Sequence, residues 1–526
     1  MGVFDFWKRG SATHKRDLTT GTAIPGRRAR NAMRLVGGID AARVDRFAET
    51  WTGTPVTPDE LLMLWHRILQ ARSRDMANND PYMRRFVRGV RANVVGHGPK
   101  LRCAVKVAST SKSDAKTNSA VLQSWDDWGE AENCDVTGRK SWLQMLLLAA
   151  ATLAIDGEVF VKTVSAGPYG LQLQMIDAVR CPVDYQLSDT GSGTFIRCGI
   201  EFDQNEKPVA YFFTSDDDHA NYYAFDGRKY ERVPADEILH VYRHDMIGQR
   251  RGFPWAMSSL FRLKRLKGFE DNAAMNAEVG AGKMGLITWD PESGPEPDDD
   301  GEPIRITAEG GTFLELPSGA NLEKWDPSFP DNVIATFTKS LLRGVGAGLG
   351  MNYPSLGNDL EGVNFSSIRA GTIEERELWK EDQKLIIEGL CIPAFRRWIG
   401  PALLRGMIIN DDGYTVPPLR LRAILRASTF HGRRWDWVDP KSDAAANRQA
   451  VDSLIKSPQE IIRERGGDPE EVLDEIAEFY AMAKEKGIPA TAIQAAQGDQ
   501  VKIAINEDPD GDAPTAPAAS DGKTKN

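Results

Sequence analysis

The apolar period changes repeatedly between residues 258 and 384, and that succession constrains the fold more than any other feature of the chain. Leu260, Phe261, Leu263, Leu266 and Phe269 predict a long amphipathic helix running from Ser258 to about Ala281. Arg262, Lys264, Arg265 and Lys267 take its early polar positions. The small residues Ala273, Ala274, Ala277 and Gly280 dominate its end, where they permit close packing of helices, including helices of adjacent subunits. Residues 284–322 then break into short strands around an acidic loop at 291–301, which contains Asp298, Asp299 and Asp300. A helix resumes at Asn332 and runs through Phe337 and Leu341 to the glycine-rich stretch 344–350. A loop over 352–365 leads into a charged helix from Ser366 to about Leu390. Two helices therefore flank a compact β-rich insertion.

The chain before this segment falls into helices followed by strands. Thr57 and Glu60 form a capping-box pattern with Pro58 at the first helical position, and Leu61, Leu62, Trp65, Ile68 and Leu69 mark one apolar side. A second helix is predicted from about Asp80, with Tyr82, Phe86, Val90 and Val94 recurring before Gly96 and Gly98 stop it. Helices over 119–128 and 141–155 precede β-branched or aromatic runs at 158–164, 171–176, 194–202, 209–213 and 238–242. No run is followed by the helix a parallel sheet requires, so a small antiparallel or mixed sheet is expected. After Cys391 come further helices, an extended segment near 422–425, and helices at 441–456 and 470–486. The Ala-, Pro-, Gly- and Asp-rich tail from about Ala490 is expected to be disordered. The resulting class is α+β, mainly helical.

Charge limits the partners. The 526 residues carry 65 Lys plus Arg against 75 Asp plus Glu, a net charge of 65 − 75 = −10. A protein that grips DNA through its phosphates normally shows a basic excess, so this balance argues against a clamp while leaving DNA open as a transient passenger. A local exception is the basic arm over residues 1–50, where Arg27, Arg28, Arg30 and Arg34 cluster; they suit either nucleic acid or the acidic surface of a neighbouring subunit. Five widely spaced cysteines without a CxxC read as buried small hydrophobes in a reducing compartment. The best apolar run, 142–155, is too short to cross a bilayer, and the start of the chain lacks the apolar core of a signal peptide. No membrane association is expected, and residence inside the cell follows by default.

The search for catalytic chemistry yields no catalytic residue, cofactor site or metal site. His240 and His244 stand four apart, but on a strand entering a loop and without HExxH. The run Gly344-Val-Gly-Ala-Gly-Leu-Gly350 follows a helix with no βαβ unit around it, so it fails as a dinucleotide loop. Neither GxxxxGK[ST] nor GxSxG occurs. Adjacent Asp298, Asp299 and Asp300, flanked by Pro and Gly, fit a solvated loop tip better than a two-metal centre.

Four local sequences then carry a resemblance. Asn79-Asp-Pro-Tyr82 with Arg91-Ala-Asn-Val-Val-Gly-His-Gly98 is the first, and Asp156-Gly-Glu-Val-Phe160 the second. The third is Gly346-Ala-Gly-Leu-Gly-Met-Asn-Tyr-Pro354 with Asn364-Phe-Ser-Ser-Ile-Arg369, and the fourth is Trp435-Asp-Trp-Val-Asp-Pro440. Their order over residues 20–465 resembles the lambda-like portal family of tailed bacteriophages; Phe365 stands where that family commonly has Tyr. The resemblance implies a homo-oligomeric ring, usually of twelve subunits, at one vertex of the viral capsid. Double-stranded DNA enters and leaves along its axis. The terminase large subunit docks during packaging, head-tail connector proteins dock afterwards, and the ring assembles in the host cytoplasm with major capsid and scaffolding protein.

Mapped onto this sequence, the resemblance makes 51–257 a wing, 258–283 a first stem helix and 284–322 a clip. A second stem helix and its glycine turn follow at 323–351, then a channel loop at 352–365. Wing helices and a strand take 366–430, and crown-side helices 431–487, before the tail at 488–526. Lys339 and Arg343, four apart on the second stem helix, become DNA-facing candidates, with salt bridges between subunits as their other role. Asn352, Asn358 and Asn364 join them from the channel loop, and Asp298, Asp299 and Asp300 become docking candidates for terminase or connector. A nuclease or packaging-motor subunit would need a clustered metal or nucleotide site, and a shell protein binding no DNA would differ in ring size and axial channel.

Overall fold

Thr57 opens the first helix as its sequence predicts. Its hydroxyl accepts from the Glu60 amide at 3.4 Å, and the Glu60 carboxylate accepts from the Thr57 amide at 2.9 Å. The helix α1 spans Pro58–Asn79 and α2 spans Pro81–Val90, the latter capped by Asp80 and continued by one π-helical turn, Arg91–Val95. Removing the first cap with Thr57→Ala should cost about 1 kcal/mol. Hydrogen exchange would read this as faster exchange at the first turn of α1 with the rest of the fold unchanged.

The computed structural model describes residues 55–107, 113–191, 193–214, 230–281, 285–289, 320–324, 331–361, 364–435, 440–464 and 469–486. The basic cluster at Arg27, Arg28, Arg30 and Arg34, the acidic loop at Asp298, Asp299 and Asp300, and the tail from Ala490 lie outside the described residues.

The next elements are β1 (Lys100–Cys103), α3 (Ala115–Trp128) and α4 (Trp142–Asp156). The strands β2 (Glu158–Val164), β3 (Gln172–Ile176), β4 (Phe195–Arg197), β5 (Ile200–Phe202), β6 (Pro208–Thr214), β7 (Tyr230–Pro234) and β8 (Ile238–Tyr242) follow. They form two antiparallel sheets, ordered β3-β2-β8 and β4-β5-β6-β7. The expected single strand over 194–202 is instead a hairpin, because Cys198 and Gly199 both take positive φ, at 51° and 78°, and turn the chain.

A long helix α5 (Leu260–Ala281) leads to β9 (Gly285–Trp289), which pairs antiparallel with β10 (Ala320–Lys324) before α6 (Asp331–Leu349). A short helix α7 (Tyr353–Gly357) precedes α8 (Phe365–Ile386), a π-helical turn, Ile387–Cys391, and α9 (Ile392–Leu404). The remaining elements are α10 (Leu421–Ala427), β11 (Ser428–His431), α11 (Pro440–Asp452), α12 (Pro458–Glu464) and α13 (Pro469–Glu485). The segment near 422–425 is therefore helical rather than extended, with Ile424 fully buried against the core. The mixed α+β class agrees with the expectation.

The main core joins α2, α3, α4, α9 and β11 around stacked indoles. Trp125 lies 4.7 Å from Trp128 and 5.1 Å from Trp398, ring centre to ring centre, and the Trp128 indole donates to the Leu171 carbonyl at 2.9 Å. A second core, with Phe160, Ile200, Tyr211 and Phe213, fills the space between the two sheets. On α1, Trp65 and Ile68 are exposed, so the predicted apolar side is displaced. Its buried positions are Leu62, His66, Gln70, Ser73 and Met76. His66 and Gln70 are buried there because the opposing surface supplies carbonyl partners, Gly252 at 2.9 Å and Asp156 at 3.3 Å. All five cysteines are buried and free of disulfides.

Candidate nucleic-acid interface

The DNA-facing candidates sit on a helix pair that is held to the body at one end. Among the described side chains, only Leu260, Leu263 and Leu266 of the hydrophobics on α5 are buried, all at its start, whereas Leu342, Val345 and Leu349 are buried near the end of α6. The glycines of the 344–350 run explain the fit. Contrary to the expected turn, α6 continues through Gly344, Gly346 and Gly348, and only Gly350, at φ +65°, reverses the chain. A Cβ on Gly348 would stand 2.2 Å from the Ser259 hydroxyl, and one on Gly346 would stand 2.6 Å from the Met351 carbonyl. The close approach lets Ser259 donate to the Val345 carbonyl at 3.1 Å and Ser258 to that of Gly348 at 3.3 Å. Further out, Phe269 meets Phe337 edge-on at 4.9 Å.

Lys339 and Arg343 share one face of α6, as their spacing requires. The returning chain covers both. Lys339 Nζ lies 3.0 Å from Asp359 Oδ2 and 3.9 Å from Glu361 Oε2, and the Arg343 guanidinium stands 5.6 Å from the centre of the Tyr353 ring. Tyr353 Oη donates to the same Asp359 oxygen at 2.6 Å, while Asp359 Oδ1 accepts from the Glu361 amide at 3.0 Å. The Tyr353 hydrogen bond, followed by Lys339, holds the Asp359 carboxyl down to about 2. Burial, with the carboxylate beside it, pushes the Tyr353 phenol up to about 12.

The three asparagines divide. Asn358 is exposed next to this group, in the left-handed region at φ +51°, which Asn tolerates better than most residues. Asn352 is held in the fold: its amide donates to Glu375 Oε2 at 3.1 Å and its side chain donates to the Gly371 carbonyl. Asn364 precedes α8, is exposed and makes no side-chain cap bond. Sequence reasoning quoted Tyr353 only as part of the 346–354 motif and did not single out Asp359. A carboxylate following Lys339 by twenty residues carries no local signal, since only the reversals at Gly350 and Asn358 bring them together.

Beneath the helix pair lies a buried ion cluster that explains the Asp156-Gly-Glu-Val-Phe160 sequence. Asp156 takes a bidentate pair from Arg74, at 2.7 and 2.8 Å. Gly157, at φ +88°, lies where a Cβ would meet the Phe253 carbonyl carbon at 2.2 Å. Glu158 and Arg251, each 0% exposed, form a second bidentate pair at 2.7 and 2.6 Å. The Arg251 guanidinium also donates to the Cys198 carbonyl at 2.8 Å and to that of Cys181 at 3.2 Å. His240 donates to Glu158 at 3.1 Å and stacks on Phe160 at 4.2 Å; His66 donates through Nε2 to the Gly252 carbonyl at 2.9 Å. Burial alone would raise the Glu158 carboxyl, but Arg251 and the two histidines outweigh it and hold it well below the carboxylate range. Burial lowers His66 to about 4 and lowers His240 as well. Nearby, Arg243 stacks over Trp255 at 4.2 Å and pairs with Asp382 of α8, joining the start of α5 to the body. Among the described residues no group of three or more His, Cys, Asp or Glu is placed to hold a metal, and no helix is long and apolar enough to cross a membrane.

Residues 45–383 match the family described as "Phage portal protein, lambda family". The chain belongs to the lambda family of phage portal proteins. Among its portal-family relatives, the "Probable portal protein" of Halomonas phage phiHAP-1 is 32% identical over 506 residues, covering 94% of this chain and 95% of that one. "Portal protein B" of Escherichia phage lambda is 22% identical over 431 residues, covering 74% and 76%. Among solved structures, a chain from the neck of an empty GTA particle overlaps at a TM-score of 0.40 and 13% identity, covering 82% of this chain and 99% of that chain.

Proposed function

We propose that this chain is the subunit of a closed ring at a capsid vertex that conducts double-stranded DNA into and out of the capsid, without catalysing a reaction itself. One observation carries the reading: among the described side chains, the two long helices flanking the β9–β10 pair are buried only at the ends that meet the body. An isolated helix pair that leaves Phe261 64% and Met275 65% exposed needs further surface to cover it, and copies of the same chain supply it around a symmetric ring. In this reading α5 and α6 are the stem, β9 and β10 the base of the clip, and residues 352–365 the channel loop. The sheets before 245 belong to the wing. The exposed Leu473, Ile476 and Phe479 of α13 meet neighbouring copies on the crown side.

A conduit also needs weak phosphate contact, because every phosphate gripped adds affinity and therefore friction. The net charge of −10, with Lys339 and Arg343 already engaged by their own chain, suits passage better than clamping. Terminase large subunit and head-tail connector would dock at the clip through Asp298, Asp299 and Asp300. The major capsid protein and scaffolding protein would surround the wing during assembly in the host cytoplasm. Class-averaged images of the purified assembly test this reading. A closed ring, twelve-fold by the family's habit and with an axial hole wide enough for duplex DNA, is expected. A stable monomer at working concentration overturns it.

A further inference from the structure

We propose that residues 358–361 are an internal competitor for DNA phosphate: Asp359, positioned by Tyr353, occupies Lys339 until passing duplex displaces it. This rests on the conduit reading above and specifies how the channel wall limits its own grip.

The geometry matches what a phosphate would make. A carboxylate oxygen 3.0 Å from Lys339 Nζ satisfies the ammonium as a phosphate oxygen does, and Glu361 Oε2 adds a second negative group at 3.9 Å. Arg343 is turned onto the Tyr353 ring, whose hydroxyl in turn holds Asp359 at 2.6 Å, so one tyrosine organises both cations. The strap is also built to leave. Leu356, 2% exposed, fixes the chain before it, whereas Asn358, Leu360 and Glu361 are exposed, with the φ +51° of Asn358 marking where the anchored part ends. An ion pair this close to solvent is screened and opens readily, so a dense run of phosphates can replace it. Repeated around a ring, the straps would keep every Lys339 neutralised where DNA is absent and exchange one anion for another where it passes. Contact with the wall then adds little net affinity.

The test is binding of a short duplex to purified rings across a salt series, for wild type, Asp359→Asn, Lys339→Gln and the double variant. Asp359→Asn should bind about tenfold more tightly at low salt, with a steeper salt dependence from the additional phosphates neutralised. The same substitution in the Lys339→Gln background should give no gain. Hydrogen exchange without DNA should show the core unchanged in Asp359→Asn, whose remaining side-chain oxygen can still accept from the Glu361 amide. Equal binding by wild type and Asp359→Asn overturns the proposal, and so does an equal gain in the Lys339→Gln background, which would reflect bulk charge alone. If Asp359→Asn fails to fold, Tyr353→Phe removes the positioning hydroxyl and keeps the ring. It should shift binding in the same direction, and no shift overturns the proposal. Failure of the wild-type chain to form rings sinks the conduit reading and this one together. Rings that admit duplex but ignore residue 359 sink only this one.

Discussion

Glu158→Gln should destabilise the subunit by about 3–5 kcal/mol, the cost of leaving one partner of a buried ion pair uncompensated. The Arg251 guanidinium has no exposure to solvent, and its two bonds to Glu158 carry the charge balance of the whole cluster. Glutamine keeps one acceptor oxygen but not the negative charge, so the cation is stranded among Ala178, Cys181 and Cys198 carbonyls. Denaturant titration measures the loss. Replacing both partners, as in Glu158→Leu with Arg251→Met, should cost clearly less than the sum of the single changes, because neither charge is then left alone. Additive losses would show that the two residues act independently, and the cluster would lose its claim to be one unit.

Acid should weaken the same region. His66 titrates near 6.5 when unfolded and at about 4 in the fold, so between those values the unfolded chain binds more protons. Stability is therefore complete above pH 6.5 and falls as the pH drops toward 4. The loss reaches roughly 3 kcal/mol when the shift is fully expressed. His240, lowered in the same direction, adds to it. Glu158 extends the decline below its ordinary 4.5, since its folded value is depressed. Denaturation midpoints at pH 7 and pH 5 should separate for the wild type and converge in part for His66→Gln, whose amide can still donate to the Gly252 carbonyl. Identical pH slopes in the two proteins would assign the acid sensitivity elsewhere.

Local rules recovered what local groups decide. The Thr57–Glu60 cap, the stop at Gly96 and the strands at 158–164 and 238–242 all follow from neighbouring residues, and each stands where the pattern places it. Long-range pairing was not legible. His66, Gln70 and Ser73 are not among the apolar positions expected on α1, yet they are buried, and Arg251 answers Glu158 from 93 residues away. The glycines at 344, 346 and 348 read as a turn because glycine disfavours helices in isolation. Here Arg262 of α5 at Gly344, the Met351 carbonyl at Gly346 and Ser259 at Gly348 come so close that a side chain has no room, and packing outweighs propensity. On α6, spacing placed Lys339 and Arg343 on one face correctly. The glycine-rich stretch announced a reversal after α6, but nothing in it told which residues of the following loop would fold back onto Lys339 and Arg343.

The five-residue ladder between β9 and β10 makes the two long helices legs of one frame. A 22-residue helix reaches roughly 33 Å, so a force applied at the far end acts on the body through a long lever. Because the ladder ties the legs together, neither can be pulled alone. The load is shared between the serine–glycine seam, where Ser258 and Ser259 bond to α6, and the Arg243–Trp255–Asp382 junction at the foot of α5. Anything that pushes or twists at the tip is thereby felt at two separate footings, one on α6 and one on α8.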